Sequence, residues 1–122
     1  MSYYDRTEPA CMISVLGTDY RIFLDVPEGE DPSLKEFLGY CDETSHLIAV
    51  CARDAQSDLD DYAQLRKRII RHELIHAFLF ESGLGADSHW HADGHNHPEQ
   101  TVDWFARQFP KLLEAFQQAG AL

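Results

Sequence analysis

From Ser57 to Ser82 the chain carries one uninterrupted helical pattern that is apolar on two nearly opposite sides. At about 100° per residue, Leu65, Ile69, His72, His76 and Leu79 share one face. Leu74, Ala77 and Phe78 share the other. A helix apolar on two sides is buried on two sides, so the fold must supply a layer against each. Ser57 is placed to cap the start, with Asp58, Asp60 and Asp61 in the first turns, where negative charge suits the helix dipole. Gly83 follows as the residue that ends it. Arg66, Lys67, Arg68 and Arg71 occupy the remaining strip and read as a solvated face.

The segments around this helix predict its layers. Residues 12–16 and 20–26 read as two strands of a hairpin joined through Gly17. In the second, Ile22, Leu24 and Val26 alternate with Arg21, Phe23 and Asp25. Residues 27–32 are acidic and turn-rich, and Ser33 to Leu38 suits a single helical turn. Gly39 to Asp42 and His46 to Cys51 flank Glu43-Thr44-Ser45 and predict a second hairpin with a well-buried second arm. A last helix is expected over 98–119, opened by Pro98 and kinked or split by Pro110. The expected fold is α+β, with a small twisted antiparallel or mixed sheet packed on two helices. The 122 residues suit a single domain spanning 1–122.

Charge and cysteine content narrow the function. The net charge of −11, from 21 acidic and 10 basic residues, repels phosphate backbones and argues against nucleic-acid binding. Cys11, Cys41 and Cys51 lack C-x-x-C spacing, and an odd number of scattered cysteines suits a reducing compartment. A Cys41–Cys51 disulfide is the less favoured reading. Met1 to Ala10 has no apolar run and no segment is long enough to span a membrane, so a cytoplasmic protein is expected.

Within the long helix stands His72-Glu73-Leu74-Ile75-His76, an H-E-x-x-H motif. Histidines at i and i+4 point the same way, so both rings can reach one Zn²⁺ at about 2.0–2.1 Å. Glu73 lies roughly 80–100° around the helix, placed to take a proton from a water in the metal's open position. The plain alternative is a chance match on an exposed helix. Against it, the two histidines share a face with Leu65, Ile69 and Leu79, where their polar atoms need partners.

A third ligand would leave one position open, and three sources compete. Glu99 opens the last helix, four residues before Asp103, so one carboxylate can bind metal while the other accepts an N–H from a ligand histidine. The loop histidines His89, His91, His95 and His97 are the second source, and Asp103 itself is the third. The loop histidines also read as a polar surface loop. One of them, or Tyr40 or Tyr62, is a candidate donor to a developing oxyanion, or an extra metal contact in the histidines' case. The metzincin continuation is excluded, because Leu79 and Ser82 stand where it needs glycine and histidine.

Residues Gly39 to Ala106 resemble the compact domain of ImmA/IrrE-type zinc metallopeptidases of bacteria and of phage or mobile-element genomes. The likeness rests on the hairpin at 40–51, on His72-Glu73-Leu74-Ile75-His76, and on Glu99-Gln100-Thr101-Val102-Asp103-Trp104-Phe105-Ala106. SprT-like metallopeptidases are a second relative by the same motif. The resemblance implies a minimal zincin that hydrolyses a protein or peptide. It implies zinc ligands His72, His76 and Glu99, a catalytic Glu73, and Asp103 behind a ligand. It also implies that His46 to Cys51 is the strand along which an extended substrate lies. The rival function is a non-catalytic zinc-binding regulatory or interaction protein, with a metal carrier or sensor as a weaker third.

Overall fold

A computed structural model describes residues 2–52, 62–84 and 97–122. Strands β1 (Cys11–Val15) and β2 (Thr18–Val26) pair antiparallel across a two-residue turn. Leu16 and Gly17 both have positive φ, 51° and 92°, the backbone whose twist matches a hairpin. Strands β3 (Gly39–Asp42) and β4 (Leu47–Cys51) form the second hairpin. Its turn is closed by Asp42, whose Oδ1 accepts from Thr44 N at 3.0 Å.

The sheet order is β1-β2-β4-β3, with β2 and β4 parallel, so the sheet is mixed and the fold is α+β. Two consequences overturn sequence expectations. First, β4 has a partner on both sides, so no extended peptide can add to it. Among the described residues, the strand next to it with an unpaired edge is β3. Second, the β2 register shifts between Phe23 and Val26, where Asp25 takes φ 54°. One bulged residue reverses the alternation beyond it. Val26 therefore packs with Phe23, while Ile22 and Leu24 pack on the opposite face. All three cysteines are free thiols.

Both faces of the sheet are covered. On one, Phe23, Val26 and Ala49 meet Tyr4 and Leu34 from the short 3₁₀ turns at Tyr3–Asp5 and Pro32–Lys35. On the other, Ile22, Ile48 and Val50 meet helix α1 (Tyr62–Leu79). The buried positions Ile69, Glu73 and Ala77 recur every four residues and form the stripe of α1 that faces the sheet. Ile69 thus belongs to the sheet side, and Phe78 is exposed rather than buried. The Ser57 cap lies outside the described residues. At Gly39 a Cβ would stand 2.7 Å from Ile69 Cγ2, so glycine is what lets α1 approach β3.

Helix α1 ends earlier than expected, at Leu79, and continues as a wider turn over Phe80–Leu84 with Gly83 at φ 92°. Glu81 in that turn accepts from Thr18 Oγ1 at 2.9 Å and Tyr20 Oη at 2.8 Å, which pins the helix end to β2. Among the described residues no helix is long and apolar enough to cross a membrane.

Helix α2 (His97–Gln118) packs on α1 through the buried Val102 and Ala106. Pro110 does not split it. Proline lacks the N–H that would bond the carbonyl four residues earlier, that of Ala106. Arg71 fills the vacancy from α1, its Nε donating to Ala106 O at 2.6 Å. A fully buried carbonyl is thus satisfied across the helix pair. Replacing Arg71 by Met is expected to cost about 1–3 kcal/mol in urea unfolding. Pro110→Ala should recover part of that loss in the Arg71→Met background but not alone. Additive effects in this double-mutant cycle would refute the coupling.

Candidate metal centre

Helix periodicity and helix pairing build the site together. His72 and His76 are one turn apart on the side of α1 that meets α2, with ring centroids 5.0 Å apart. Glu99, in the first turn of α2, reaches between them. Its Oε1 lies 2.8 Å from His72 Nε2 and is hydrogen-bonded to His76 Nε2 as well. One ligand atom from each of the three residues lies within 4.8 Å of the other two. A tetrahedral shell with bonds near 2.0–2.1 Å needs edges of about 3.3 Å. Two imidazole nitrogens and a carboxylate oxygen this close can hold a metal ion once the carboxylate draws back by a distance on the order of 1 Å.

Asp103, one turn beyond Glu99, faces the other nitrogen of His72: Oδ1 lies 3.4 Å from Nδ1. A carboxylate there favours the tautomer that carries its proton on Nδ1 and leaves Nε2 free to coordinate. Asp103 is itself held by Arg107 Nε at 2.6 Å.

Glu73 sits behind the histidines on the sheet-facing stripe and is 8% exposed. Among the described residues no donor hydrogen-bonds its carboxylate, an uncommon state for a buried charged group. Burial raises its pKa, nearby Glu99 adds to the rise, and His72 and His76 oppose it. Burial would lower the His72 pKa, but the bond to Glu99 and the Glu73 charge outweigh it and the net shift is upward. The two histidines hold Glu99 well below the usual carboxylate range. A cavity of about 290 Å³ opens beside these groups, lined by Phe37, Gly39, His72, Glu73, Glu99 and Asp103.

Of the sequence candidates, then, His72, Glu73, His76, Glu99 and Asp103 come together. Of the two sources among the described residues, Glu99 and Asp103, it is Glu99 that meets both rings. His89, His91 and His95 lie outside the described residues. His97 begins α2, and its side chain is likewise outside them.

Tyr40 is not at the site, which corrects its reading as an oxyanion donor. It points to the sheet face away from α1, donating to Asp31 Oδ2 at 2.5 Å beside Tyr4, which donates to the same oxygen at 2.6 Å. Strand alternation put it there, since its neighbour Cys41 takes the α1 side. Burial and the Asp31 bond push the Tyr40 phenol up to about 12. Tyr62 donates to the Cys51 carbonyl instead, and does not line the cavity. The sequence reading passed over the role of Arg71. Its signal was Pro110, which frees a carbonyl that some donor must meet.

Comparison with protein-family models, curated proteins and solved structures returns no match.

The Tyr4–Asp31–Tyr40 group makes a pH prediction. Burial alone would raise the Asp31 carboxyl, but bonds from Tyr4, Tyr40 and Ser33 outweigh it and hold it below its ordinary 3.8. A lowered folded-state value stabilises the fold above the unfolded value, and that contribution is lost as pH falls through the folded one. Tyr40→Phe should cost about 1.5 kcal/mol at pH 7, and its deficit should shrink below pH 3. Denaturant unfolding at both pH values checks this; a deficit that does not change with pH refutes it.

Proposed function

We propose that this protein is a zinc-dependent peptidase of the ImmA/IrrE type, with His72, His76 and Glu99 as metal ligands and Glu73 as its proton-transfer group. One observation carries the reading. A buried carboxylate without a hydrogen-bond donor among the described residues stands beside three convergent ligand atoms. A site built only for folding gains nothing from such a group and favours a closed four-ligand shell.

Zinc bound there would supply Lewis acidity and lower the pKa of water in its open position to about 7. The chain's own residues do the rest. Glu73 accepts the proton of the attacking water on a carboxylate oxygen and returns it to the leaving amine. Asp103 holds His72 in orientation through Nδ1. The open edge of β3, whose first residue Gly39 lines the cavity, supports an extended peptide by strand addition. Three free cysteines suit a reducing compartment such as the cytoplasm.

Two experiments test this. In the first, zinc affinity is measured by competition with a chelating dye. Asp103→Ala should cost about 10–100-fold and Glu99→Ala more, whereas changing His89, His91, His95 and His97 together to Ala should change little. The reverse order would move the third ligand into the loop. In the second, the zinc-loaded protein is incubated with a digested-proteome peptide mixture and cleavage is read by mass spectrometry. Glu73→Gln should keep one zinc per chain and lose about 10²–10⁴-fold in rate. Cleavage by that variant at the rate of the unaltered protein would sink the mechanism. Zinc binding without any cleavage by the unaltered protein would favour the non-catalytic rival.

A further inference from the structure

The row of side chains that makes the candidate metal centre does not stop at His72. Along α1, Arg68, His72 and His76 are spaced four apart, as are Glu99, Asp103 and Arg107 along α2. Side chains four apart stack on one helix face. The helices pass each other in opposite directions, so the rows meet rung by rung: His76 with Glu99, then His72 with Asp103. The next rung brings Arg68 and Arg107 to a second cavity of about 420 Å³, with Arg71 also on its wall.

Three guanidinium groups in one cavity repel one another, and here they gather in a chain of net charge −11. Arg71 and Arg107 are each held through Nε, by Ala106 O and Asp103 Oδ2, which leaves their terminal nitrogens without a bonded acceptor among the described residues. Arg68 has no hydrogen bond or ion pair among them at all. Among the described residues the one carboxylate bonded to any of the three is Asp103, which holds Arg107 and also faces His72. Planar guanidinium groups with free donors, two of them here held through Nε, are matched to a carboxylate, which accepts two parallel N–H bonds. Arg68 also lines the cavity beside Glu73, so the two cavities share a wall.

We infer that the Arg68–Arg71–Arg107 cavity is a subsite for a carboxylate carried by the peptide substrate. The inference rests on the peptidase reading above and adds a substrate class to it. Position 68 lies about 9 Å along the helix axis from the midpoint of His72 and His76. An extended chain covers that in two or three residues at about 3.3–3.6 Å each. The group recognised is an Asp or Glu side chain, or the chain-terminal carboxylate, two or three residues from the bond cut.

The test uses zinc-loaded protein carrying Glu73→Gln, which binds without turnover. Three alanine-based octapeptide pools compete for it, with retention read by mass spectrometry. One carries a single Glu at each position in turn with both ends blocked, one carries Gln instead, and one carries Gln with a free C-terminus. The Glu pool, the free-carboxylate pool or both should be retained at least tenfold better than the blocked Gln pool, which also tells side chain from terminus. Adding Arg68→Gln and Arg107→Gln should erase the preference, and Arg68→Lys with Arg107→Lys should keep part of it, which separates charge from folding. Equal retention of all pools, or a preference that survives the Gln substitutions, overturns the subsite. A preference without cleavage by the protein bearing Glu73 leaves the subsite standing and removes only the peptidase.

Discussion

Oε1 of Glu99 meets the Nε2 atoms of two imidazoles on another helix, and that contact requires α1 and α2 to be held in one register. A slip of one residue would carry Glu99 about 100° around its helix and away from both rings. Several features resist such a slip. Val102 and Ala106 are fully buried against α1, and small side chains there allow close packing. Arg71 meets the Ala106 carbonyl that Pro110 leaves without its helical donor. The proline therefore makes α2 depend on α1 at one defined point. The neighbouring rungs, His72 with Asp103 and Asp103 with Arg107, repeat the same alignment in polar form.

The sheet contributes differently. Its part is to bury Glu73. The stripe Ile69, Glu73, Ala77 presses on β3 and β4, and Gly39 permits the approach by lacking a side chain. Burial is what sets the proton affinity of Glu73 above the ordinary carboxylate value. At the far end, Glu81 ties the helix terminus to Thr18 and Tyr20. On the opposite face, Asp31 gathers Tyr4 and Tyr40 and fastens the N-terminal segment to β3. The helix carrying the two histidines is thus fixed along its length before any metal is considered, which is how a site is preorganised.

Much of the site was legible because its parts are local. His72 and His76, and likewise Glu99 and Asp103, are related by the helical repeat alone, and H-E-x-x-H states both residue type and spacing. The two hairpins and two helices were legible for the same reason. Tyr40 was misplaced because residue type says what a side chain can donate, while strand parity says which face it reaches. Val26 was misplaced because a single bulged residue at Asp25 exchanges faces beyond it. The arginines read as a solvated strip because α2 had not yet been laid against α1.

By itself, then, the sequence determined the elements and the spacing of chemically capable side chains within each, since both follow from backbone periods of 3.6 and 2 residues. Tertiary structure decided what meets what: the β1-β2-β4-β3 order, the open edge at β3, Glu99 across from His72 and His76, and Arg68 across from Arg107. Those meetings join residues far apart in the chain. They arise from packing, in which a bulge, a glycine and a proline each shift the outcome, and no local repeat encodes that.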